Sequence, residues 1–122
     1  MNIFILEDNP DRIRKFRQMT IGHNVVFSSN VEEAKKILDQ ELFDVILLDH
    51  DLDGRVFVDP SEPNTGYQLA RYIADNSIPY KRIITHTLNP AGTASIAEAI
   101  PGIEIIPYLT MSYTQWLEKT DE

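Results

Sequence analysis

Val45-Ile46-Leu47-Leu48 runs without a polar break into Asp49-His50-Asp51. An aliphatic run that lacks alternation reads as a strand covered on both faces, the middle of a parallel sheet. Helices on either side are what cover such a strand, so the chain must be α/β. The acids and the imidazole then fall where the strand leaves the core. In open parallel sheets, ligands bind outside that edge. A strand needs the aliphatic residues; it does not need three ionisable groups in a row at its end.

With that strand fixed, the flanks resolve into βα units. Asn2 to Leu6 is the first strand. Asn9-Pro10 starts a helix over about Pro10 to Met19, Asn as N-cap and Pro in the first turn, with Gly22 closing it. Ile13, Phe16 and the stem of Arg17 are its inward positions. Val25 to Phe27 is the second strand. Capping-box spacing occurs at Ser29/Glu32 and Asn30/Glu33, ahead of a helix from about Val31 to Gln40. Ala34, Ile37 and Leu38 form its apolar stripe. The third strand covers Asp44 to Asp49. Thr65 caps a helix running to about Asn76, with Leu69, Tyr72 and Ile73 inward. Arg82 to Thr85 is the fourth strand. Asn89-Pro90 repeats the earlier start signal, and Pro101-Gly102 ends that helix, whose stripe is Ile96, Ala97 and Ile100. Ile103 to Ile106 is the fifth strand, stopped by Pro107. Ser112 to Gln115 predicts one last capping box, with Trp116 and Leu117 on the fifth helix.

Five such units in 122 residues predict one domain, residues 1–122, with a doubly wound (βα)5 flavodoxin-like fold and a five-stranded parallel sheet in the order 2-1-3-4-5. That order brings Glu7-Asp8, Asp49-His50-Asp51 and His86-Thr87 to one sheet edge. The segment Leu52 to Thr65 is long for a βα connection, usually about 2–6 residues. It reads as a functional lid, with Val56-Phe57-Val58 as a small hairpin arm.

The absence of cysteine excludes disulfide and thiolate chemistry and fits the cytoplasm. Met1 to Leu6 is too short for a signal peptide, and no apolar run reaches the ~18 residues of a membrane span. A net charge of -8 disfavours tracking duplex nucleic acid, which needs a positive stripe. It leaves room for a small phosphorylated ligand held by local groups, and it suits a divalent cation.

Glu7, Asp8 and Asp49 would repel one another in a shared pocket unless a cation neutralised them, and Mg²⁺ or Mn²⁺ takes such oxygen ligands. Capping of the first helix accounts equally for Glu7 or Asp8 taken singly. His50 and His86 suit proton transfer either side of a phosphodiester: one activates water and the other protonates the leaving ribose oxygen. Asp51 would orient one imidazole. A structural role at a loop start is the competing reading for each histidine, and the favoured one for His23. Thr87, Asn89 and the amides opening the fourth helix form an anion cradle. Gly92 would keep that turn open to a ligand. Tyr67, Arg55 and Arg71 are weaker candidates for a base or phosphate contact.

These residues resemble the receiver domains of two-component signalling. Glu7-Asp8 matches the receivers' metal-binding pair, Asp49 their phosphoacceptor, and Thr87 or Thr85 their strand-4 hydroxyl. Ile106 stands before Pro107 where receivers carry lysine, which weakens a phosphoacceptor reading. A closer resemblance is to the receiver-like family predicted to process cyclic phosphates. It lies in Leu6-Glu7-Asp8-Asn9-Pro10, Leu48-Asp49-His50-Asp51-Leu52 and His86-Thr87-Leu88-Asn89-Pro90-Ala91-Gly92. The resemblance implies a phosphodiesterase acting on a cyclic nucleotide or an RNA 2′,3′-cyclic end. It places Glu7, Asp8 and Asp49 at a metal or phosphate, and His50, Asp51 and His86 in proton transfer. The alternatives are a non-catalytic pseudo-receiver that binds a partner or a cyclic nucleotide, and a response regulator with Asp49 as acceptor.

Overall fold

A computed structural model describes residues 1–52, 54–111 and 115–117. Five parallel strands form one sheet: β1 (Asn2–Leu6), β2 (Asn24–Ser28), β3 (Val45–Leu48), β4 (Arg82–Thr85) and β5 (Glu104–Ile105), in the order β2-β1-β3-β4-β5. The helices are α1 (Pro10–Met19), α2 (Val31–Gln40), α3 (Gly66–Asp75), α4 (Pro90–Ala99) and α5 (Tyr108–Met111). This is the doubly wound (βα)5 fold that the pattern of apolar runs predicts.

Local signals set most of the helix boundaries. Asn9 Oδ1 accepts from the amides of Asp11 and Arg12, Asn30 Oδ1 from Glu33, Thr65 Oγ1 from Gln68, and Asn89 Oδ1 from Gly92. Each cap satisfies amides that the first helical turn leaves unpaired. The C-cap of α1 is Thr20, whose amide donates to Phe16 O; Gly22, at φ +92°, turns the chain beyond it.

Alternation along each strand divides the core in two. Ile3, Ile5, Val45, Leu47 and Ile84 pack with Phe16 of α1, Met111 of α5 and Trp116. Phe4, Leu6, Ile46, Leu48 and Ile83 pack under α2, α3 and α4. Every residue of β3 is buried on one face or the other. Burial of each such side chain contributes about 1.5–3 kcal/mol.

The C-terminal part departs from expectation. The strand β5 is two residues long, and the last helical turn is Tyr108–Met111. Ser112 of the expected capping box lies outside the described residues. Trp116 and Leu117 lie in a turn, and Arg82 donates to the carbonyl of Trp116. Val56 and Phe57 form no hairpin arm: residues 54–65 run as turns, bends and irregular chain, pinned by the burial of Leu52 and Val58.

Candidate active site

The register Leu6↔Leu48↔Thr85 continues by one residue into a row of Glu7, Asp49 and His86. The Asp49 amide donates to Leu6 O and the His86 amide to Leu48 O, both at 3.1 Å, which holds the row level. Side chains alternate along a strand, so all three follow Ile5, Leu47 and Ile84 onto the α1/α5 face. His86 Nε2 donates to Glu7 Oε1 at 3.0 Å, and its ring meets Phe16 edge-on at 5.0 Å. Ligating atoms of Glu7, Asp49 and His86 lie within 4.8 Å of one another. His86 Nδ1 is, among the described residues, the one buried side-chain nitrogen or oxygen that lacks a hydrogen-bond partner.

Arg12 completes the row, and reading the sequence for site residues missed it. Its guanidinium lies 3.7 Å from Glu7 Oε1 and 3.9 Å from Asp49 Oδ2, and it rests on the Tyr108 ring at 4.7 Å. Its place in the first turn of α1, beside the end of β1, was the available signal. Burial raises the affinity of Glu7 for its proton. The hydrogen bond and charge of His86, the Asn9 amide and Arg12 together outweigh that and hold the carboxyl below its ordinary range. Asp49 goes the other way. Burial, reinforced by the Glu7 charge, exceeds the help of His86, the His50 amide and Arg12, and pushes its carboxyl up to about 7. Two adjacent acids thus take different protonation states, the pattern by which acid and base roles are separated.

The expected hollow shared by both imidazoles is not formed. His50 follows Asp49 by one residue, so its ring turns to the opposite face, under α3 and α4. There its Nε2 donates to Val58 O at 2.9 Å and its Nδ1 accepts from the Tyr67 amide at 3.3 Å. Both ring nitrogens are spent and the residue is fully buried. Asp51 does not orient an imidazole. Its Oδ2 accepts from the Phe57 amide, and its Oδ1 from the Val58 amide and Asn89 Nδ2, at 2.9–3.0 Å. Asn89 Nδ2 also donates to Val58 O, so no group of that amide remains for an anion. Gly92 leaves room for a side chain of this chain: a Cβ there would meet the His50 ring at 2.5 Å. His50, Asp51 and Asn89 therefore form a knot that holds the segment around Val58.

A cleft of about 460 Å³ lies above the row. Glu7, Asp49 and Arg12 reach its floor, Asp8 and Thr87 its sides, and Arg55, Val56, Phe57 and Leu88 its rim. Asp8 Oδ2 accepts from the Gly54 amide at 2.7 Å, tying the rim to β1. Thr87 Oγ1 accepts from the Asn89 amide, which leaves its O–H to donate; Thr85 instead donates to Leu48 O. Tyr67 and Arg71 bond to each other on α3 and do not line the cleft. His23 meets the amino group of Met1 in the turn before β2.

The donor kinds fit a hard divalent cation, which takes carboxylate oxygens and tolerates imidazole. The charge of the row is already countered, however: Arg12 lies against both carboxylates, and the His86 Nε2–H occupies one oxygen of Glu7.

Solved structures place the fold among response regulator receivers. The chain is 20% identical to the phosphorylated cyanobacterial phytochrome response regulator RcpA, with a TM-score of 0.69 over 97% of this chain and 91% of that one. It is 19% identical to the response regulator TrrA from Thermotoga maritima in complex with Mg²⁺-BeF, at 0.68 over 98% and 97%. It is 17% identical to the Mn²⁺-bound form of response regulator Rcp1, at 0.66 over 97% and 91%. A comparison with curated proteins gives no match. Residues 1–101 match the cyclic-phosphate processing receiver domain, and with its row of acids and imidazole at the sheet edge the chain belongs to that family.

Proposed function

We propose that the cleft hydrolyses a cyclic phosphodiester, on a nucleotide or on an RNA 2′,3′-cyclic end. The observation that carries this reading is the row itself: a carboxyl with a pKa of about 7 reaches the cleft floor between a depressed carboxylate and a cation. A group that titrates near neutrality both accepts and returns a proton at working pH. Water adds to phosphorus, the bond to one ribose oxygen breaks, and the proton lost by water ends on that oxygen. Asp49 relays it. His86, bonded to Glu7 through Nε2, holds that carboxylate beside Asp49 in the row. Arg12 and the Thr87 hydroxyl hold the phosphate oxygens. His50 and Asp51 enter through the knot, which positions the rim.

Glu7 and Asp49, with Asp8 at the side, are the residues that would hold Mg²⁺ or Mn²⁺; a bound ion would add charge neutralisation at the phosphate and would hold Asp49 ionised, so the proton relay belongs to the site without metal. The test is to incubate the protein with 2′,3′- and 3′,5′-cyclic nucleotides, with and without each metal, and to separate the monophosphate products. Turnover by the parent, and loss of at least about a hundredfold in Asp49→Asn and His86→Ala, is the expected result. No turnover of any cyclic phosphate removes the hydrolase reading. Asp49 as phosphoacceptor is disfavoured, because a carboxyl protonated near neutrality is a poor nucleophile and Ile106 replaces the lysine.

A further inference from the structure

Phe57 is 73% exposed. Its neighbour Val58 is buried and anchors the segment. Phe57 has φ +53°, a left-handed conformation that a bulky residue seldom adopts. Four hydrogen bonds hold the peptide units on either side, two from amides to Asp51 and two to Val58 O from His50 and Asn89, and a fifth ties Asn89 to Asp51. Backbone strain that the surroundings over-determine clusters at ligand clamps. The product of this knot is a fixed backbone that presents an exposed aromatic ring at the rim of the cleft, which Val56 (75% exposed) and Leu88 (43%) also line.

We propose that Phe57, flanked by Val56 and Leu88, is the platform on which the aromatic base of a nucleotide stacks while its phosphate lies over Asp49. This rests on the cyclic-phosphate reading of the floor and narrows its substrate class to ligands that carry a base. The two ends of the cleft differ in the way such a ligand does. The inner end offers Arg12 on the floor, beside the Glu7 and Asp49 carboxyls, and the Thr87 hydroxyl at the side to a phosphate, and the rim offers an apolar surface to a flat ring. Its volume is that of a small-molecule site, about 300–1,000 Å³. The backbone that carries the ring is already ordered, so stacking a base on it has only the two side-chain torsions of Phe57 to fix. Every base has a π-face, so the platform tolerates all of them and favours purines by area.

The experiment compares binding of 2′,3′-cyclic AMP, 2′,3′-cyclic CMP and the base-free glycerol 1,2-cyclic phosphate by calorimetry. The proteins are the full chain and its Phe57→Ala, Phe57→Tyr and Phe57→Trp variants. Phe57→Ala should weaken the adenine ligand about tenfold more than the base-free one, and Phe57→Tyr should restore it. In Phe57→Trp, cyclic AMP should quench indole fluorescence above the constant background of buried Trp116, and glycerol cyclic phosphate should not. Equal weakening of all ligands by Phe57→Ala, or no weakening, overturns the platform. Base-dependent binding without turnover sinks the hydrolase reading and leaves the platform standing. Turnover that ignores Phe57 does the reverse, and no binding of any of these ligands removes both.

Discussion

His50 and His86 are each fully buried, yet a single residue of register gives them opposite fates. Asp49 aligns with His86 across the sheet, and His50 comes one position later, so the pleat sends their rings to different helical layers. That outcome was legible: alternation counted from Leu47 and Leu48 already separates Asp49 from His50. What drew them together in the sequence was chemical type, which carries no direction. A double-mutant cycle tests the separation. Glu7→Gln with His86→Ala should couple by about 1–3 kcal/mol, because the pair shares a buried hydrogen bond; Glu7→Gln with His50→Ala should be additive within about 0.5 kcal/mol. Strong coupling in the second cycle would contradict the placement of His50. Arg12 offers a second test at this scale. It lies against the same oxygens that would hold a divalent ion, so Arg12→Ala should tighten Mn²⁺ binding by about tenfold, roughly 1.4 kcal/mol. Weaker Mn²⁺ binding in an electron paramagnetic resonance titration would mean that Arg12 does not compete for the site.

Elements were readable where their causes are local. Asn9, Asn30, Thr65 and Asn89 cap amides within three residues of themselves, so the starts of α1 to α4 follow from spacing alone. The segment between β3 and α3 has no such local cause. It is held by His50 against Val58, by Asp51 against Asn89 and by Asp8 against Gly54, and none of these pairings has a spacing rule. Its shape depends in turn on two helix starts that come close to β3. A Cβ on Gly66 would run into the backbone of Asp49 and His50, and one on Gly92 into the His50 ring at 2.5 Å. Gly92→Ala must therefore push the imidazole off Val58 or tilt α4. The expected cost is about 1–3 kcal/mol, the range for overpacking. Amide hydrogen exchange should show Phe57 and Val58 losing protection while β1 and β3 keep theirs. Unchanged protection at those two amides would show that the ring is not what secures the segment.

At the scale of the molecule, the two acids in the row give stability two limbs in pH. Glu7 is depressed in the folded chain, so what it contributes is present above its ordinary value of 4.5 and is lost as pH falls through the folded value. Asp49 is raised, so between its ordinary 3.8 and about 7 the native chain holds a proton that the unfolded chain has released. Folding is therefore opposed by Asp49 increasingly as pH climbs through that window, and in full above about 7. Stability should peak on the acid side of neutrality. The net charge runs from zero near pH 4.7 to -8 at pH 7, so self-repulsion also grows across this window; parent and variant share nearly all of it, and their difference isolates Asp49. Asp49→Asn keeps an oxygen for the His50 amide and removes the titration. It should raise stability above pH 7 by about 1–3 kcal/mol, below the roughly 4 kcal/mol that a full three-unit shift would give, because Glu7, His86 and Arg12 readjust when one charge leaves the row. Near pH 4 the variant and parent should agree. Urea midpoints from pH 4 to 9 measure this, and parallel curves for variant and parent would mean that Asp49 titrates normally. The same substitution should abolish turnover while it strengthens the fold, since the buried acid that burdens the folded chain is the group the proposed chemistry needs.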